Sequence, residues 1–209
     1  MTKLSLSPEE MLLVNNSEWI LNKHLIIQKV YRFFGELLSQ YQEEVNRFHY
    51  LFPENIRHQT GKISKGENYK LLPYVILDYP AFFWKDNIFA VRTMFWWGNF
   101  FSITLHLSGN NKIKFTSQED KLFTWLKVND YYLCHNEAEW EHHFGEDNYC
   151  PAALMDKTAF HNILSKNFFK ISRSLPLTQW DNARSFLIEG FRDLMQLLEL
   201  NYQAGEKDL

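Results

Sequence analysis

Two long aromatic and β-branched runs at the centre of the chain constrain its fold more than any other feature. Residues 88–97 and 100–107 have the composition of β-strands, carry one charged side chain, Arg92, and are separated by Gly98 and Asn99. Glycine tolerates the positive φ that a tight hairpin turn requires. The two runs therefore predict a long β-hairpin in which Trp97 pairs with Phe100.

This register sorts alternate side chains of the hairpin onto two faces. One predicted face carries Ile88, Ala90, Arg92, Met94 and Trp96 beside Phe101, Ile103, Leu105 and Leu107, and the other carries Phe89, Val91, Thr93, Phe95 and Trp97 beside Phe100, Ser102, Thr104 and His106. The first face is expected to be core. Because an unpaired buried guanidinium is costly, Arg92 should pair with a carboxylate such as Asp78 or border a cavity that receives an anion.

The second predicted face mixes aromatic rings with a few hydrogen-bonding groups. That mixture is typical of a small-molecule pocket, where apolar area gives affinity and polar groups fix the orientation of the ligand. The candidate ligand-binding residues are Arg92, Thr93, Phe95, Trp97, Thr104 and His106. The alternative is that helices cover this face and that its polar groups bond one another or water.

Helical signals occur at both ends of the chain. A Ser-Pro-Glu-Glu sequence at residues 7–10 predicts the start of a short helix, and apolar periodicity predicts a long helix over residues 18–48. A last helix begins near Thr178, and Gly190 within it would permit close packing. Because the strands gather in the middle, we predict one α+β domain over residues 1–209, with an antiparallel or mixed sheet packed against helices from both chain ends.

Several shorter elements are also predicted. Helices are expected over residues 117–128, 136–145 and 156–166, and strands over residues 74–79, 131–134 and 168–175. The basic stretch from Arg57 to Lys70, which includes His58, Lys62 and Lys65, is expected to be an exposed loop, with anion binding as the alternative. It lacks the Lys-Ser or Lys-Thr pair that follows the last glycine of a phosphate-binding loop.

One cluster of histidines suggests a second class of function. Glu139 lies three residues before His142 and four before His143, so on a helix the carboxylate would share a face with either imidazole. A metal-assisted hydrolase with ligands from His142 and His143 is therefore the alternative hypothesis. The matching second half of a di-iron carboxylate site is missing from the sequence, so no metal or cofactor is predicted.

Charge and cysteine content limit the expected partners and compartment. The formal net charge of −3 gives no field that would attract nucleic acid or an anionic membrane, so neither is a predicted partner. Cys134 and Cys150 fit no disulfide framework, and the amino terminus lacks the apolar core of a secretory signal. We therefore expect a cytoplasmic protein with reduced thiols.

Aromatic residues are unusually frequent, at 17% of the chain. The predicted turn is crowded by Phe95, Trp96, Trp97, Phe100 and Phe101. Such a cluster should be covered by other elements or by a second subunit, so a homodimer is one expected arrangement. The favoured hypothesis is a non-catalytic domain that binds a small ligand or a protein partner through an aromatic-lined sheet face.

Overall fold

A computed structural model describes residues 4–52, 54–57 and 59–202 of the chain. The helices are α1 (Pro8–Asn15), α2 (Ser17–Arg47), α3 (Glu54–Arg57), α4 (Gly109–Phe115), α5 (Glu119–Val128), α6 (Lys157–Leu164) and α7 (Ala183–Tyr202). The strands are β1 (Lys62–Tyr69), β2 (Leu72–Trp84), β3 (Asn87–Trp96), β4 (Phe100–Ser108), β5 (Tyr132–Cys134), β6 (Tyr149–Pro151) and β7 (Phe168–Pro176). Short 3₁₀ segments occupy His49–Leu51, Ala152–Leu154 and Leu177–Asn182. None of the helices within these ranges is both long enough and apolar enough to cross a membrane.

The strands form one antiparallel sheet with the order β1-β2-β3-β4-β7-β5-β6. Helices from the two ends of the chain, α2 and α7, contact each other and the sheet. The predicted α+β class is therefore confirmed. Neighbouring strands β1 to β4 follow one another along the chain, whereas β7 enters between β4 and β5.

The turn between β3 and β4 contains three residues, 97–99, rather than two. Trp96 pairs with Phe100, and the N–H of Asn99 donates to the carbonyl of Trp96 at 3.0 Å. Gly98 in the middle has a φ of 72°, which a glycine adopts without steric cost. The predicted pairing of Trp97 with Phe100 is wrong by one residue, so β3 and β4 contribute different combinations of side chains to each face than the sequence suggested.

One face of the sheet, here called the helix face, packs against α2 and α7. Its buried members include Val75, Leu77, Phe89, Val91, Phe95, Phe101, Ile103, Leu105, Leu107, Phe169 and Ile171. Tyr41 of α2 stacks on Phe191 of α7 with ring centroids 3.9 Å apart, and its hydroxyl lies 3.1 Å from Thr93 Oγ1. The two terminal helices and the central strands thus share one core.

Gly190 lets α7 approach the sheet closely, as its sequence position suggested. A Cβ at this residue would lie 2.8 Å from Cγ2 of Ile103, a fully buried side chain of β4. Since Ile103 is surrounded by core, it has little room to move away.

The opposite face, here called the covered face, lies beneath residues 135–148, the covering segment between β5 and β6. The helix predicted over residues 136–145 does not form; the segment is irregular. The exposed loop predicted over residues 57–70 is also wrong, because Lys62–Tyr69 forms edge strand β1. Polar side chains suit an edge strand, which meets water and must resist further pairing. His58 lies outside the described residues.

Candidate functional site

A cleft of about 740 Å³ opens on the covered face, where β1, β2 and β3 meet the covering segment. It is lined by Gln59, Thr60, Gly61, Lys62, Ile63, Ser64, Ile76, Asp78, Ala81, Phe83, Arg92 and Trp140. Its volume falls within the range of roughly 300–1,000 Å³ that is usual for small-molecule pockets. The lining combines two aromatic rings with charged and hydroxyl groups, which is the composition expected of a binding site.

A β-bulge in β2 gives the cleft its apolar wall. Asp78 pairs with Arg92, but Ala81 pairs with Ala90, so two residues of β2 oppose one of β3. The extra residue reverses the alternation of side chains, and Ala81 and Phe83 therefore join Asp78 on the covered face. Simple alternation from Asp78 would have placed Phe82 there instead.

The floor of the cleft is an ion pair between β2 and β3. Arg92 Nε donates to Asp78 Oδ1 at 2.7 Å and Arg92 Nη2 donates to Oδ2 at 2.9 Å, the two-pronged geometry that guanidinium and carboxylate prefer. Arg92 Nη1 donates to His142 Nε2 at 3.0 Å. The sequence left two alternatives for Arg92, pairing with a carboxylate or bordering a cavity. In the structure Arg92 does both.

Trp140 of the covering segment forms the other wall. Its ring centroid lies 6.3 Å from that of Phe83, 5.1 Å from that of His106 and 5.6 Å from the guanidinium carbon of Arg92. Trp140 is nevertheless 47% exposed, and Phe83 is 45% exposed. Contacts on several sides fix the indole while one surface stays open to the cleft, so a ligand would meet a pre-positioned ring.

The covering segment is anchored to the sheet at two places. The hydroxyl of Tyr69 in β1 accepts from the backbone N–H groups of His142 at 2.7 Å and His143 at 3.0 Å. Lys170 of β7, fully buried, donates to the carbonyls of Glu139 at 2.8 Å and Glu141 at 2.5 Å. These bonds satisfy backbone groups that a helix would have used internally, which explains why the predicted helix is not formed.

Burial and neighbouring charges lower the pKa of three groups where the covering segment meets the sheet. Burial, aided by the charges of Lys170 and Arg92, lowers the pKa of His106 to about 3. The same causes hold the pKa of His142 well below its ordinary value. Burial also lowers the pKa of Lys170 to about 8. Both imidazoles are therefore neutral at pH 7, and His142 can accept the hydrogen bond from Arg92.

The six candidate residues from the sequence do not form one site. Arg92, Thr104 and His106 share the covered face, and of these Arg92 lines the cleft. The Thr104 hydroxyl lies 2.7 Å from that of Ser172, and His106 Nε2 lies 3.3 Å from Glu139 Oε2 beneath the segment.

The other three candidates belong elsewhere. Thr93 and Phe95 point into the core on the helix face, where Thr93 meets Tyr41. Trp97 lies in the turn with its ring centroid 6.1 Å from that of Phe95. Their predicted grouping with Thr104 and His106 on one face is wrong because the register differs by one residue.

The histidines of the alternative hypothesis point to different partners. His142 meets Arg92, whereas His143 Nε2 lies 3.0 Å from Asp147 and Glu139 reaches His106. Across the described ranges, no group of three histidine, cysteine, aspartate or glutamate side chains is placed to hold a metal ion. A cation beside Arg92 would also meet repulsion from the guanidinium.

The aromatics near the β3–β4 turn are covered by elements of the same chain. On the helix face, Phe101 packs against Trp180 with centroids 5.1 Å apart. On the covered face, Trp96 packs against Tyr69 at 5.1 Å and Phe100 against Phe144 at 5.1 Å. This cluster therefore does not require a second subunit.

Several residues of the cleft were missed by the sequence reasoning. Lys62 and Ser64 lie in a strand whose polar sequence predicts a loop, and Phe83 requires the bulge to reach this face. Trp140 is the missed residue with the clearest sequence signal. It is a large apolar side chain within a strongly charged stretch, which suggests that its ring contacts another part of the protein or a ligand. No protein-family model, curated protein or solved structure matches this chain.

Proposed function

We propose that this protein is a cytoplasmic, non-catalytic binding protein whose cleft holds a small organic anion with a flat apolar body. The proposal rests on one observation: a cleft of about 740 Å³ in which Phe83 and Trp140 flank a floor that carries charge. Rings that stay half exposed while their neighbours fix them are suited to stack on a planar ligand.

The charges that line the cleft favour an anion. Lys62 and Arg92 contribute two cations, and Asp78 contributes one carboxylate that Arg92 already engages with two hydrogen bonds. Lys62 and Asp78 are cross-strand neighbours, so the ammonium group belongs to the same end of the cleft as the ion pair. Ser64 and Thr60 supply hydroxyls that would orient the polar end of the ligand.

A binding role is favoured over catalysis by the position of the titratable groups. Three groups near the cleft have strongly lowered pKa values: His142 in the covering segment, and His106 and Lys170 beneath it. All three are outside the lining of the cleft. The one acid in the described lining, Asp78, is held by Arg92 and is poorly placed to transfer a proton. Both cysteines are free, which suits a reducing compartment.

The test is a thermal-shift and NMR screen of small aromatic carboxylates and phosphates, each beside its neutral isostere. Anions should bind, and Trp140→Ala should weaken binding by about fivefold, since a stacked ring contributes about 1 kcal/mol. Trp84→Ala is the matched control, because Trp84 is 63% exposed and lies outside the lining.

A second pair of variants tests the charge. Lys62→Gln should reduce the preference for the anion over its isostere, whereas Lys121→Gln, an exposed lysine on α5, should leave that preference unchanged. The proposal fails if no anion binds, or if binding is equally strong in Trp140→Ala.

A further inference from the structure

The amino-terminal arm, residues 4–25, extends from the core without being buried anywhere. It comprises α1 and the first turns of α2, and its side chains are exposed apart from a partly covered Lys23, until Ile27 enters the core. The exposed apolar side chains of the arm are Leu4, Leu6, Met11, Leu12, Leu13, Val14, Trp19, Ile20, Leu21 and Leu25. A short apolar helix of this kind gains little from standing alone in water.

The arm is apolar on more than one side. Residues 11–14 are four consecutive apolar side chains, which at 100° per residue point in all directions around α1. A helix that is apolar all round is normally buried. Within the described residues, no side chain of α1 is buried against this chain's own core, which points to cover by another molecule.

The size of the exposed surface matches one half of a stable interface. The ten side chains expose apolar area on the order of 1,000 Å², whereas the largest apolar patch on a typical monomer is roughly 300–600 Å². A standard protein interface buries about 800 Å² on each partner. The total apolar area that the arm exposes is therefore comparable with one partner's share of a specific complex.

Charge identifies the kind of partner. The arm carries Glu9, Glu10 and Glu18 against one lysine, Lys23, which pairs with Glu67. Helices that lie on membranes carry an excess of lysine and arginine on their polar side, which this arm lacks.

Beside the arm, a groove of about 630 Å³ has the opposite charge. It is lined by His24, Ile27, Gln28, Tyr31, Arg32 and Lys65. Its described lining has two fixed cations and no carboxylate, so the groove is complementary to the acidic first turn of α1. The same chain thus presents an acidic apolar arm and a basic receptor for it.

We propose that two copies of this chain form a homodimer through their arms, packed antiparallel about a two-fold axis. An antiparallel arrangement brings Glu9 and Glu10 of each copy to the groove around Arg32 and Lys65 of the other. A parallel arrangement would place Glu9 and Glu10 of one copy beside the same glutamates of the other. Under two-fold symmetry, the arm of each copy binds the groove of the other. Both grooves are then occupied, so the assembly contains two chains.

Sedimentation velocity and light scattering measure the mass directly. The full chain at micromolar concentration and above should have twice its monomer mass of 25.1 kDa. Leu13→Glu with Leu21→Glu should give a monomer, because both side chains are exposed and would be buried only in the dimer. The control is Ile113→Glu with Leu154→Glu, which adds the same charges at equally exposed sites outside the arm and should leave the dimer intact.

A charge exchange tests the geometry. Glu9→Lys with Glu10→Lys should raise the dimer dissociation constant by about tenfold or more, and adding Arg32→Glu with Lys65→Glu should restore it. An unchanged far-ultraviolet circular dichroism spectrum at 25 °C in all variants shows that the fold survives, since α1 contributes no buried residue.

Three outcomes overturn the proposal. A monomeric wild type does so, as does a dimer that persists in the Leu13→Glu, Leu21→Glu variant. Co-sedimentation of the wild type as a monomer with vesicles of phosphatidylcholine and phosphatidylserine would assign the arm to lipid instead.

Discussion

His106 and His142 are buried as neutral imidazoles beside the cations Arg92 and Lys170, and this has a consequence for stability in acid. In the unfolded chain both imidazoles have a pKa near 6.5, whereas burial holds the folded values far lower. Below pH 6.5 the two imidazoles therefore bind protons in the unfolded state but not in the folded state. The stability present above pH 6.5 is lost as the pH falls toward the folded pKa values.

We expect the free energy of unfolding to fall by roughly 2–3 kcal/mol between pH 7.5 and pH 5.5, as measured by urea titration. His106→Gln or His142→Gln should each remove about half of this slope. His161→Gln is the control, because the His161 side chain is 70% exposed on α6. If the slope is the same in all three variants, the two buried histidines are not its source.

The ion pair between Arg92 and Asp78 predicts strong coupling between the two residues. Asp78→Leu alone leaves a largely buried guanidinium without its carboxylate and should cost about 3–5 kcal/mol in the free energy of unfolding. Adding Arg92→Met removes the stranded charge and should recover most of that loss. A double variant as unstable as the sum of the two single variants would show that the pair is not coupled.

At the scale of elements, two glycines in helices offer a matched pair of substitutions. A Cβ at Gly35 in α2 meets nothing within 4 Å, whereas one at Gly190 in α7 meets Ile103 at 2.8 Å. Gly35→Ala should stabilise the protein by about 0.5–1 kcal/mol through helix propensity. Gly190→Ala should destabilise it by about 1–3 kcal/mol through overpacking, despite the same gain in propensity.

Chemical denaturation of both variants under one set of conditions measures this difference. Opposite signs would establish that the approach of α7 to β4 is limited by the side chain at residue 190. If both substitutions stabilise the protein, the sheet has more freedom beneath α7 than the packing implies.

Elements with a strong local pattern were the ones that the sequence predicted. The long helix α2 repeats apolar residues on one side, and β7 has the composition of a strand, so residues 18–48 and 168–175 were assigned correctly. Edge strand β1 was missed because its polar residues carry no apolar alternation. The sequence of the covering segment predicts a helix because its capping residues are common to helices and loops. Its anchors, Tyr69 and Lys170, are distant in sequence and give no local signal.

The candidate site was predictable only in part, for a related reason. Arg92 and its partner Asp78 could be inferred because a charge within an apolar strand needs an opposite charge. The remainder depended on two single-residue irregularities, the three-residue turn at 97–99 and the bulge after Asp78. Each reverses which face a side chain meets. Pro80 is a signal for the bulge, since a proline within a strand is confined to edges and bulges, whereas Gly98 is compatible with hairpin loops of two or three residues.

At the scale of the whole molecule, one sheet joins every region from Lys62 to Pro176, and the terminal helices share its core. We therefore predict that residues 1–209 behave as one domain and unfold in a single transition. Tryptophan fluorescence, near-ultraviolet circular dichroism and far-ultraviolet circular dichroism should give coincident urea curves. Separate midpoints for these signals would divide the chain into independent units.

The stacking of Tyr41 on Phe191 joins a helix near the beginning of the chain to one near its end. During translation, the ribosome releases the first of these rings about 150 residues before the second, at a synthesis rate of roughly 5–20 residues per second. For those seconds the helix face of the emerging strands lacks the part of its cover that α7 provides. We therefore expect apolar surface of the nascent chain to stay exposed until its last helix leaves the exit tunnel.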